Sequence, residues 1–197
     1  DHLATTMTSA RAGHRLHGPP LKDLTAHGSH LHAIAAQQIG DHANAVRAIL
    51  FNKTEGVNWA LGWHQDRTIA VKARHLIDDY GPWTIKSGIN HVAPPSTLLA
   101  GMVTMRIHLD DTPHDNAPLL IAPGSHRLGT IREDDIGRTV ERCGTLACLA
   151  ERGDLWLYST PILHASARAM AGGRQRRVLQ LDFCAQPLPS PLEWYGV

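Results

Sequence analysis

From Val46 onward the chain breaks into short strand-like segments: "VRAILFNK", "RTIAVKAR", "MVTMRIHLD", "PLLIAPGS", "GTLACLA", "DLWLYS" and "RRVLQLDF". Gly, Pro, Asn and Asp punctuate them, and no regularly alternating helices separate them. That texture predicts an antiparallel sandwich or barrel, not a parallel α/β fold. Ahead of it, residues 20–50 carry apolar side chains at helical spacing, with Ser29 placed to cap a helix and Gly40 to stop one. One or two helices are therefore expected to lead the fold. At 197 residues the chain fits a single domain with a substantial core. The helical flank is expected over about 20–45 and the β core over about 47–185.

Charge narrows the partners. Lys and Arg number 19 against 18 Asp and Glu, with no basic block, so the footprint of a nucleic-acid binder is missing and a small molecule is the expected partner. No apolar run reaches the ~20 residues that span a bilayer, and the first residues lack the pattern of a signal peptide. The sequence thus reads as a soluble, cytoplasmic protein. Cys143, Cys148 and Cys184 form no CxxC pair, which favours buried free thiols over disulfides or a thiolate zinc site. Fourteen histidines invite a metal reading. Those of the N-terminal fifth, His14, His17, His27, His30, His32 and His42, share no spacing with a carboxylate and are expected at the surface or in capping roles.

The chemistry concentrates elsewhere. "WHQD" at 63–66 sets His64 and Asp66 one residue apart, and at a strand end the period of two turns both to one face. Such a pair can hold a metal through an imidazole nitrogen and a carboxylate oxygen, provided a third ligand exists. His164, after the strand "DLWLYS", is the candidate. Two histidines and a carboxylate are the set associated with non-haem Fe(II) oxygenases, whose open positions admit a chelating 2-oxo acid and dioxygen. The helical HExxH of zinc hydrolases is absent. A 2-oxo acid needs an anchor for its far carboxylate, and a guanidinium binds one bidentately. In "GGRQRRVLQLDF" the period of two groups Arg176 with Val178, Gln180 and Asp182, and Arg177 with the apolar Leu179, Leu181 and Phe183. Arg176 is the favoured anchor; Arg177 and Arg174 compete. Ser166 stands two residues past His164 and could add a hydroxyl.

These residues carry a family likeness. With "RIHLDDTPHDNAPLLIAPGSHRLG" at 106–129, "HAS" at 164–166 and "RRVLQLDF" at 176–183, the chain resembles the phytanoyl-CoA dioxygenase family of Fe(II)- and 2-oxoglutarate-dependent oxygenases over residues 47–195. The resemblance implies a double-stranded β-helix, a cupin-like jelly roll. It implies iron held by His64, Asp66 and His164, 2-oxoglutarate held by Arg176 with help from Ser166, and O2 as the oxidant. It also implies that the "PGSH" motif containing His126 is structural. Hydroxylation of an unactivated C–H in a small metabolite, with release of succinate and CO2, is the expected reaction. Related halogenases lack the carboxylate that Asp66 supplies. Two departures stand out: Ala117 replaces a usual glycine, and the His164-to-Arg176 interval is one residue longer than expected. The rivals are a jelly-roll metal enzyme that uses no 2-oxo acid and a non-catalytic jelly roll.

Substrate contacts are less defined. Thr104, Arg106 and His108 share a face of "MVTMRIHLD"; such a face is usually solvated, with cavity lining as the alternative. Lys53, Asn58, Trp63, Trp83 and Lys86 are further pocket candidates. Residues 78–96, which hold Trp83, Lys86 and His91, look too long for a hairpin loop and are expected to form a lid or binding loop.

Overall fold

The computed structural model describes residues 13–170 and 174–197. A first strand, β1 (Gly13–Leu16), precedes α1 (Pro19–Thr25) and α2 (His30–Ile39). Prolines open α1, where a missing N–H costs nothing. Ser29 caps α2 by accepting from the His32 N–H at 3.2 Å, and Gly40 ends it at φ 90°. His32 itself is buried, with its ring nitrogens against the Gly28 N–H and the Asp41 carbonyl. That is a capping role, as expected for the N-terminal histidines, although β1 itself leaves no signal in the sequence.

The β core follows as β2 (Asn44–Lys53), β3 (Leu61–His64), β4 (Ile69–Val71), β5 (Trp83–Lys86) and β6 (Ile89–Val92). After the short helix α3 (Ser96–Ala100) come β7 (Met102–His108) and β8 (Leu119–Ile121). Then α4 (Ile136–Cys143) leads to β9 (Leu146–Cys148), β10 (Leu155–Ser159), β11 (His164–Ser166) and β12 (Arg176–Cys184). A five-stranded sheet runs β1-β2-β12-β7-β10, a four-stranded sheet runs β3-β11-β8-β9, and β4-β6-β5 form a third. All pairings are antiparallel. The five- and four-stranded sheets enclose one cavity between them, lined from β2, β7 and β12 on one side and from β3, β8 and β11 on the other. This is a jelly roll.

The two faces of the large sheet have opposite characters, and the period of two decides which is which. Ala48 and Leu50 of β2, Val103 and Met105 of β7, and Leu179, Leu181 and Phe183 of β12 turn outward onto Leu21, Leu31 and Ala35 of the helices. Each large side chain fully buried there contributes about 1.5–3 kcal/mol. The inner face carries Arg47 and Lys53, Arg106, and Arg176 and Gln180. The solvated reading of the Thr104–Arg106–His108 face is thus corrected. All three are buried, because the helices cover the apolar side and leave the polar one turned inward.

Residues 78–96 are also not a long lid. They hold the hairpin β5–β6, in which Trp83 pairs with Val92 and Lys86 with Ile89. Ser87 and Gly88 both take positive φ, 52° and 78°, as a two-residue turn matched to strand twist requires. Cys148 and Cys184 are buried free thiols, and Cys143 is half-buried. Among the described residues no helix is long and apolar enough to cross a membrane.

Candidate metal and anion site

β3 and β11 pair with His64 directly opposite His164, and this register brings the two imidazoles together at 4.2 Å between ring centroids. Each Nδ1 lies against the carbonyl two residues earlier, Gly62 for His64 at 2.8 Å and Ile162 for His164 at 2.9 Å. A carbonyl only accepts, so Nδ1 carries the proton and Nε2 keeps its lone pair. Burial pushes the His164 imidazole down to about 4, against the pull of Asp66, so it is neutral at ordinary pH. Asp66 completes the group: one ligand atom from each of the three residues lies within 4.8 Å of the others.

Three devices hold this trio. Gln65, buried between His64 and Asp66, donates to the carbonyls of Gly129 and Pro161 at 2.9 and 2.8 Å, and its Oε1 accepts from the Ile131 N–H at 2.9 Å. Ser125 of the "PGSH" turn accepts from the Leu163 N–H at 2.9 Å, one residue before His164. Arg47 donates to one oxygen of Asp66 at 2.8 Å, leaving the other free, and Arg47 is held in turn by the buried Asp182. Burial raises the Asp66 carboxyl, but Arg47, His164 and His64 outweigh it and hold it well below the usual carboxylate range. Sequence reasoning passes over Arg47 and Asp182. Their one signal is a charge on an otherwise apolar strand, facing the same way as Lys53 and Gln180.

Deeper in the cavity, of about 110 Å³, the wall turns cationic. Arg176 is 2 % exposed and donates to the Ala117 carbonyl at 2.6 Å, while its Nε has no partner. Arg106 donates to Gln180 at 2.9 Å, lies over the Phe51 ring at 5.1 Å, and also leaves Nε unpartnered. Lys53 donates to Ser166 Oγ at 3.1 Å and to the Ala167 carbonyl at 2.6 Å. Burial, then Arg176 and Arg106, push its ammonium down to about 7. Burial and Arg106 likewise lower Arg176. Three buried cations repel one another, and among the described residues Asp66 is the only acidic one lining the cavity. Such a wall is built for an anion.

The structure separates the arginines. Arg177 faces outward and forks onto Asp110 through Nε and NH2 at 2.9 and 2.8 Å. Arg174 is exposed beside Asp111 and Glu151. Ala117, in place of glycine, keeps the positive φ of 50° and still presents its carbonyl to Arg176 and Ser166. Thr104 does not line the cavity; its hydroxyl bonds Asp182 at 2.9 Å and Thr160 at 3.0 Å, which assigns it to the support of Arg47. Trp83 is not at the cavity either: it packs on the Ile69–Val92 cluster with Arg74 over its ring. Lys86 is exposed on the hairpin and donates to Thr68 Oγ1 at 3.0 Å. Asn58 pins both backbone groups of Ala169 at 2.8 Å, and Trp63 packs against Leu163 and Ile131.

The phytanoyl-CoA dioxygenase (PhyH) family model matches residues 3–178. A sequence comparison with curated proteins finds no match. Among solved structures, EctD from S. alaskensis with 2-oxoglutarate and 5-hydroxyectoine is 18% identical at a TM-score of 0.61, over 94% of this chain and 60% of that one. EvdMO1 is 18% identical at 0.61, over 85% of this chain and 32% of its own. HygX from Streptomyces hygroscopicus, with nickel and 2-oxoglutarate bound, is 13% identical at 0.55, over 93% and 74%. These likenesses share the fold, and the chain spans less than two thirds of the length of EctD and EvdMO1.

Proposed function

The chain belongs to the phytanoyl-CoA dioxygenase family, and on that premise we propose that it is a non-haem Fe(II)- and 2-oxoglutarate-dependent oxygenase that hydroxylates a small metabolite. The observation that carries this reading is the pairing of two features in one cavity: the His64–Asp66–His164 trio and, beyond it, the cationic wall. A metal enzyme whose substrates are all neutral has no use for such a wall.

The donor set fits iron. Two Nε2 atoms and one carboxylate oxygen would bind a single face and leave three positions open. Bound there with 2-oxoglutarate and O2, iron supplies oxidation of an unactivated C–H, with release of succinate and CO2. The rest falls to the protein. Arg47 restricts Asp66 to one coordinating oxygen, and the backbone carbonyls of Gly62 and Ile162 fix both imidazole tautomers. Arg176 receives the far carboxylate of 2-oxoglutarate, with Ser166 Oγ beside it, and Lys53 and Arg106 supply the surrounding positive field. That EctD and HygX, which share the fold, were crystallised with 2-oxoglutarate supports the choice of cosubstrate.

Anaerobic titration with Fe(II) and then 2-oxoglutarate tests the proposal. A weak visible charge-transfer band from the chelate is expected, and iron uptake without a band or calorimetric 2-oxoglutarate binding would overturn it. Asp66→Ala should lower iron affinity by about 10–100-fold or more and abolish succinate formation; full turnover in that variant would remove Asp66 from the site.

A further inference from the structure

A second cationic cluster lies outside the cavity just described. Arg15 of β1 pairs with Ile49 of β2, and cross-strand partners share a face. Ile49 lines the cavity, so Arg15 stands on the cavity side of the sheet at its edge strand, next to Arg47. From the third sheet, Thr84 pairs with His91, and the period of two places Lys86 with them on one face. Lys86 reaches Thr68 Oγ1 at 3.0 Å, two residues past Asp66, so that face borders the metal trio. Lys86 and His91 both feel the charges of Arg15 and Arg47. Partial desolvation, Arg47 and Arg15 lower Lys86, against Asp66, and burial, Arg15, Lys86 and Arg47 lower His91.

Two features mark the cluster as a binding place. Among the described residues neither Arg15 nor Lys86 has a carboxylate ion-pair partner, whereas Arg47 is matched by Asp66 and Asp182. Arg15 feels Asp182 and Asp66, and Lys86 feels Asp66; iron on Asp66 would take up the charge the two share. His91 is 0 % exposed, its Nδ1 donates to the Ile89 carbonyl at 2.9 Å, and its Nε2 has no partner. A buried acceptor without a donor calls for a polar ligand.

We propose that Arg15 and Lys86 form an outer anion subsite that holds the acid group, a carboxylate or a phosphate ester, of the substrate in front of the metal face. The substrate is then a small acid, and a hydroxyl or amine on it would donate to His91 Nε2. This rests on the oxygenase reading, in which Arg176 is taken by 2-oxoglutarate and the substrate's own acid group needs a separate holder.

The test uses protein loaded with 2-oxoglutarate and Mn(II) in place of Fe(II), so that protons of a bound probe relax by proximity to the metal. The probes are small hydroxy and amino acids, each paired with its primary amide, together with inorganic phosphate. The acids should bind at least tenfold more tightly than their amides. That preference should disappear in R15Q/K86M, return in R15K/K86R, and leave 2-oxoglutarate affinity within twofold throughout. Equal binding of acids and amides, no relaxation by any acid, or a preference that survives R15Q/K86M would each overturn it. If 2-oxoglutarate fails to bind the wild type, the oxygenase reading falls by itself. The difference between wild type and R15Q/K86M is then read on the Mn(II) protein alone, so the two failures remain distinct.

Discussion

Arg176 and Arg177 are adjacent in sequence and opposite in fate. One is buried with an unpartnered Nε, and the other is half-exposed and forked onto Asp110. A buried guanidinium whose charge has no carboxylate partner is costly unless a ligand supplies one. Arg176→Gln should therefore weaken 2-oxoglutarate binding by roughly 10–100-fold, since charge-assisted hydrogen bonds contribute about 1.5–3 kcal/mol. Arg177→Ala should leave that affinity within about twofold and cost no more than about 1 kcal/mol of stability. Calorimetry on both variants reads the contrast, and the reverse order would move the anchor to Arg177. Lys53 gives a proton signature. With its ammonium pushed down to about 7 in the free protein, it is mostly neutral at pH 8. A carboxylate arriving beside it raises that value, so binding should take up protons at pH 8 and progressively fewer below pH 7, where Lys53 is already charged. Titration in buffers of different ionisation enthalpy measures the uptake, which should vanish in Lys53→Met.

At the scale of elements, β3 and β11 are short strands, four and three residues, and cannot hold a metal face by their ladder alone. Their position depends on side chains that bond to loops: Gln65 to the segments at 129–131 and 161, and Ser125 to the backbone before His164. Gln65→Leu would strand one N–H and two carbonyls near the trio. A loss of about 2–4 kcal/mol is expected from one buried hydrogen-bonding group removed with several partners. Chemical denaturation reads it, and iron affinity should fall with it because His64 and Asp66 flank the clamp. The same elements show where the sequence was legible. Alternation in "RRVLQLDF" assigns both faces of β12 without a structure, because one face meets helices and must be apolar. The Ser87–Gly88 turn was also readable, between "WTIK" and "INHV", yet the Pro-rich flanks make residues 78–96 resemble one long loop.

For the whole molecule, the proposed metal and cosubstrate would bind between the two sheets and so couple to folding. A ligand that binds only the folded state adds about 2.7 kcal/mol at a hundredfold excess over its Kd. At this chain length roughly 2–4 °C per kcal/mol follows. The Tm should rise by about 5–11 °C when 2-oxoglutarate is added to the metal-loaded protein, and by much less in Arg176→Gln; differential scanning calorimetry decides. The sequence by itself determined the antiparallel β class, the capped helix α2, the His64–Asp66 pair and the face of Arg176. Each follows from local periodicity or from a residue's intrinsic chemistry. Only the tertiary structure decided that the polar face of β7 is internal, that Thr104 supports Arg47 instead of lining the cavity, and that Arg47 and Asp182 hold Asp66. It also put Arg15 of the edge strand on the cavity side of the large sheet, across from Ile49. Those relations join strands far apart in sequence, and their register is set by which sheet face the helices cover.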